Sequence, residues 1–143
     1  MKLTLNKSHI LSFLCGGVAV LGLTIASQSK AQSPAHVYEL RTYTAPAGKL
    51  DALEARFRDH TEAIFKRHSL HAIGYWVPQD NKNNQLIYIV EHKSKEDATK
   101  NWAAFQADEE WKKVRAESEA GGPLTTKPPE SVYMNPTDFS RLK

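Results

Sequence analysis

From Val37 to Tyr43 the chain reads VYELRTY, and its alternating residues fall into two sets: Tyr38, Leu40 and Thr42 against Val37, Glu39, Arg41 and Tyr43. Successive side chains of a strand point to opposite faces of the sheet. The run LIYIVEH from Leu86 to His92 divides in the same way, with Leu86, Tyr88 and Val90 against Ile87, Ile89 and Glu91. Both sets in both runs carry large apolar side chains. A sheet made of such strands is normally covered on both faces, and the question is what covers each.

The rest of the pattern supplies one layer. After the breaker TAPAG, Leu50, Leu53, Phe57, His60, Ile64 and His68 recur at three- and four-residue steps from Lys49 to about His68, the apolar side of an amphipathic helix. Its opposite side carries Asp51, Arg56, Arg58, Asp59, Glu62 and Lys66. HAIGYWV from His71 to Val77 is a second strand, joined to the LIYIVEH strand by the Asn- and Asp-rich PQDNKNNQ, a long hairpin connection. Ser94 caps a second helical stretch with Ala98, Trp102 and Phe105 on one stripe. A further start falls at Asp108, with Glu109 and Glu110 in its first turn and Trp111 and Val114 on its apolar side. Gly121-Gly122-Pro123 stops it, and a last short strand runs from Ser131 to Asn135.

The order strand, helix, strand, strand, helix, strand predicts an α+β, ferredoxin-like βαββαβ domain, its antiparallel sheet carrying helices on one face. The other face then needs a cover from outside the chain. The simplest is a second copy, giving a two-fold homodimer, a dimeric α/β barrel.

Residues 1–31 stand apart from this domain. Lys2 and Lys7 precede an apolar run from Ile10 to Ala26, and small residues follow at Ser29 and Ala31, the layout of an export signal cleaved after Ala31. An uncleaved anchor is the alternative. Gly16 and Gly17 interrupt the run, which also falls short of the ~20 residues that span a bilayer. Cleavage leaves residues 32–143 as one domain, secreted or periplasmic, with no stable membrane span. It also removes the formal charge of +3, because Lys2, Lys7 and Lys30 depart and no acid does. A neutral domain offers no basic surface to nucleic acid. The single cysteine, Cys15, leaves with the signal, so no disulfide staples the domain.

The segments VYELRTYTAPAGKLDALEARFRDHTEAIFKRH and GYWVP, the stretch NWAAFQADEEWKKVRAESEAGGPL and the ending ESVYMNPTDFS resemble the NIPSNAP family, within the dimeric α/β barrel superfamily. The resemblance runs from about Val37 to Ser140 and implies the same ferredoxin-like dimer. It implies little chemistry, since the superfamily holds monooxygenases, heme-degrading enzymes, isomerases and proteins without known activity.

Candidate functional residues follow from chemistry. Glu39 and Arg41, placed on the face that a partner closes, either pair across the dimer or orient a polar ligand through the forked guanidinium. His60, on the apolar stripe, reads as a hydrogen-bonded core histidine or as a general base or heme or metal ligand. Tyr75 and Trp76 point to opposite faces, so one of them leaves the helix-side core and can stack on a flat ligand. The candidate pocket lies between the sheet and the first helix, with Glu39, Arg41, His60 and Tyr75 or Trp76 around it. His68 and His71 have no third ligand nearby in sequence, so no metal site is assigned. Ser118 and Glu119 read as surface or as the pocket mouth. No glycine-rich phosphate loop or nucleotide fingerprint is present, and no cofactor is assigned. Two functions remain: a non-catalytic module that binds a small apolar or aromatic ligand or a partner, and a cofactor-independent or heme-linked monooxygenase acting on a small hydrophobic or aromatic substrate.

Overall fold

A computed structural model describes residues 36–142. The expected export signal and cleavage point fall outside the described residues. The element order is β1 (Val37–Thr44), α1 (Leu50–Arg56), a π-helical turn (Phe57–Thr61), α2 (Glu62–Arg67), β2 (His71–Trp76), β3 (Gln85–His92), α3 (Lys95–Ala107), α4 (Glu109–Ser118) and β4 (Glu130–Met134). All pairings in the four-stranded sheet are antiparallel, and the strand order is β2-β3-β1-β4. This is the expected ferredoxin-like arrangement.

Local chemistry sets the boundaries. Gly48, at φ +72°, turns the chain into α1 with a backbone conformation that side chains other than glycine's rarely adopt. Ser94 Oγ accepts from the Asp97 N–H at 3.1 Å, and an oxygen of Asp108 accepts from the Trp111 N–H at 3.0 Å, so each of the two later helices starts on a side-chain cap. In the β2–β3 connection Asn84 sits at φ 50°, and the Asn81 amide both donates to and accepts from the backbone of Gln85. These asparagines provide the local hydrogen bonds that close a long hairpin.

Register decides which strand faces are covered. Leu86, Tyr88, Val90 and His92 are buried under the helices, and their antiparallel partners on β1 are Tyr43, Arg41, Glu39 and Val37. Directly opposed residues share a face. Glu39 and Arg41 therefore lie on the helix side of the sheet, not on the outer face where the sequence reading placed them. Alternation alone could not decide this, because each set on β1 contains large apolar residues.

The helix-side core joins Leu53, Phe57, Ile64, Phe65, Leu86, Tyr88, Val90, Phe105 and Trp111. Phe57 meets Tyr43, Phe65, Tyr75 and Tyr88 with ring centroids 5.3–6.0 Å apart, the offset and edge contacts aromatic rings prefer. Burying an aromatic or aliphatic side chain of this size contributes roughly 1.5–3 kcal/mol, so this cluster is the main stabilising body of the domain.

The π turn alters the expected helix. It spans one residue more per turn than an α-helix, and the buried positions run Leu53, Phe57, Thr61, Ile64 and Phe65. The extra residue rotates the following chain, so Thr61 faces inward and His60 is exposed. The Thr61 hydroxyl donates to the Arg56 carbonyl at 3.1 Å, satisfying an acceptor next to the irregular turn. Arg56, expected on the solvent side, is buried. Its guanidinium lies 5.3 Å from the Trp111 ring centroid and donates to Glu119 at 2.8 Å.

The outer face carries Leu40, Ile87 and Ile89, all half-buried, with Trp76 at 48% and Val132 at 54% exposure. Residues 135–142 run along one end of it, sharing a groove with Tyr38 and Ile89. On β2 the register shifts between Ala72 and Gly74. Trp76 then folds back over Gly74, so close that a Cβ added there would meet the indole at 3.0 Å. No helix among the described residues is long and apolar enough to cross a membrane.

Candidate functional site

The five candidate residues do not converge. Glu39 and Arg41 form one cluster, Tyr75 and Trp76 line a cleft, and His60 lines another on the opposite side of the first helix.

Glu39, 1% exposed, is the centre of the charged cluster. One carboxylate oxygen accepts from Arg41 Nη1 and from Ser131 Oγ, both at 2.6 Å. The other accepts from Trp102 Nε1 at 2.6 Å and meets His92 Nε2 at 3.0 Å. Burial alone raises the Glu39 pKa, but hydrogen bonds from His92 and Ser131, the Arg41 charge and the Trp102 bond overcome it and hold the carboxyl at about 2, against an ordinary 4.5. The ionised carboxylate makes His92 Nε2 the donor. Arg41 also lies 4.2 Å from the Trp102 ring centroid, a cation–π contact. This ion pair is internal to one chain, which corrects the alternative of pairing across a dimer.

The depressed pKa has a pH signature. Because the folded value is below the ordinary one, Glu39 contributes its stability in full above pH 4.5 and loses it as pH falls toward about 2. In urea unfolding at stepped pH, the stability gap between the unaltered protein and Glu39→Gln should narrow across this window. A gap constant from pH 6 to 2 would show that the cluster does not favour the ionised form.

The cleft at the β2 edge has a volume of about 350 Å³. Phe57 and Leu86 form its floor, Tyr75 and Trp76 come from the edge strand, and Glu54, Arg58 and Glu62 form its polar side. The Tyr75 hydroxyl donates to Glu62 at 2.5 Å. Burial first, and then the Glu62 carboxylate, push the Tyr75 pKa up, so the phenol remains a donor. Tyr75 pairs with Tyr88 and Trp76 with Ile87, which puts the two rings on opposite faces as expected. At an edge strand, one cleft can wrap around and touch both. Sequence reasoning missed Phe57, Glu54, Glu62 and Leu86 as lining residues; only the helix–strand packing brings them together.

His60 lines a second cleft of about 360 Å³ with Arg56, Asp59 and Ser118. Ser118 and Glu119, read as surface or pocket mouth, both reach the buried Arg56. His68 Nε2 meets Asp108 at 2.7 Å. Among the described residues no group of three or more His, Cys, Asp or Glu side chains could hold a metal ion. Neither Glu39 nor Arg41 lines the two clefts or the outer-face groove.

A four-stranded antiparallel sheet in this order, with its helices on one face, is a ferredoxin-like α+β fold. The NIPSNAP family model matches residues 38–141, and the chain belongs to that family. A similar solved structure is a NIPSNAP family protein of unknown function from Agrobacterium tumefaciens, 25% identical, with a TM-score of 0.68, covering 78% of this chain and 97% of that one. A NIPSNAP-like domain protein from Burkholderia xenovorans, 20% identical, has a TM-score of 0.66 and covers 75% and 90% of the respective chains. A monooxygenase from Streptomyces coelicolor, solved in complex with nanaomycin D, is 12% identical with a TM-score of 0.52, covering 78% of this chain and 96% of that one. These last two likenesses bear on the fold alone. No curated protein matches the chain.

Proposed function

We propose that this protein is an exported, non-catalytic homodimeric module that holds a small apolar or aromatic ligand in the Tyr75–Trp76 cleft. The observation that carries this reading is the separation of the buried Glu39–Arg41 cluster from open space. Glu39 accepts four hydrogen bonds within the chain, which leaves little of its capacity for a substrate. The β2-edge cleft, in contrast, is open, mainly apolar and, at about 350 Å³, within the ~300–1,000 Å³ range of small-ligand sites. Export rests on the pattern of residues 1–31, and the dimer on the apolar outer sheet face.

Native mass spectrometry of protein from the periplasm tests all three parts together. The expected particle is a dimer of chains beginning at Gln32, carrying a ligand that Trp76→Ala releases. A single-chain mass removes the dimer, and an intact Met1 removes the processing. Oxidation of an added quinol at a rate abolished by Tyr75→Phe would replace the binding reading with the monooxygenase one.

A further inference from the structure

The β2-edge cleft combines two features that restrict the chemistry of an occupant. Three rings, Phe57, Tyr75 and Trp76, supply flat apolar walls, and Glu54 and Glu62 place two carboxylates on the same cleft. The charges that face those carboxylates hold them weakly. Arg58 Nη2 approaches Glu54 only to 3.9 Å and Lys66 Nζ approaches Glu62 only to 3.6 Å, and both cations are about 70% exposed. Exposed pairs of this kind contribute little and exchange readily with a competing cation. Glu62 is better fixed on its other oxygen, where the Tyr75 hydroxyl holds it. A carboxylate can accept about four hydrogen bonds, so Glu62 keeps capacity toward the cleft while its position is set.

Resting on the reading of this cleft as the ligand site, we infer that its occupant is an aromatic amine: a flat apolar body with a positively charged ammonium head. The body lies against Phe57 and Trp76, and the head displaces Lys66 from Glu62. Aromatic faces carry negative charge density and attract an ammonium group, so rings and carboxylates favour the same head. An anionic head meets two carboxylates and one exposed arginine. The charge-assisted bond to Glu62 forms at the rim, and the apolar walls exclude water from its inner side.

Three probes with one body and different heads separate the headgroup inference from the cleft reading: 2-naphthylmethylamine, 2-naphthylmethanol and 2-naphthoate, each titrated calorimetrically at pH 7 into the purified full-length chain. The amine should bind about tenfold more tightly than the alcohol, the gain expected from one charge-assisted contact, and the carboxylate most weakly. Glu62→Gln should abolish the advantage of the amine over the alcohol, since glutamine can still accept from Tyr75 but carries no charge. Equal binding of all three probes, tightest binding of the carboxylate, or an amine advantage that survives Glu62→Gln overturns the inference while leaving the cleft as a ligand site. Failure of all three to bind overturns both.

Discussion

Glu39→Leu should lower the unfolding free energy by about 3–5 kcal/mol, the loss typical when one partner of a buried charged network is removed. The carboxylate it deletes satisfies the Trp102 indole, the His92 ring, Ser131 and Arg41 together. Two of these groups are left short of partners: the His92 ring is fully buried and its other nitrogen already lacks one, and Arg41 loses its carboxylate while its buried Nε lacks a partner too. The Arg41 side chain keeps 15% exposure and its stacking on Trp102. Arg41→Met should therefore cost less than Glu39→Leu, since three donors still hold the carboxylate. The double variant should recover only part of the loss, because His92 and Trp102 remain unsatisfied. Urea unfolding of the three variants measures this order directly. A Glu39→Leu loss below about 1 kcal/mol would mean that the bonds to this carboxylate add little beyond what water provides.

Ile89→Lys should convert the proposed homodimer into monomer or aggregate, the second large effect. Ile89 stands on the outer face between Leu40 and Gly74, and a partner sheet laid on that face would enclose an unpaired ammonium group. Ile89 also shares a groove with residues 135–142 of its own chain, so its replacement can strain the monomer as well. Val132→Lys avoids that difficulty. At 54% exposure in the single chain, Val132 can be charged without disturbing the fold, and only a partner over the face would notice. Sedimentation should give a dimer for the unaltered protein and single chains for Val132→Lys. A monomer in the unaltered protein, or a Val132→Lys dimer of unchanged strength, would leave the outer face without a second copy upon it.

The elements themselves were legible because they are local. Alternation marked β1 and β3, three- and four-residue spacing marked the helices, and Ser94 and Asp108 announced the two caps later seen to accept backbone N–H groups. The positions of the candidate side chains were less legible because they depend on distant parts of the chain. Glu39 looked like an outer-face residue until its register partner Val90 proved to be buried under the helices. Its donors lie far along the chain: His92, Trp102 and Ser131 are 53, 63 and 92 residues away. His60 was displaced for a different reason. A 3.6-residue period extrapolated through the first helix cannot anticipate a π turn, whose extra residue puts Thr61 inward. Tyr75 and Trp76 were recognisable as a divided pair, but the cleft between them required the packing of α1 against the sheet edge.

The fold of Trp76 over Gly74 makes the width of that cleft depend on a residue that does not line it. The indole occupies space that even a methyl side chain at 74 would contest, at 3.0 Å, so the outer wall stands where it does because position 74 has only hydrogen. A descendant of this protein could move the wall, and so reshape the cleft, by one substitution at 74 while every lining side chain stayed the same. The shape of the cleft is thus partly inherited through an empty place behind the wall.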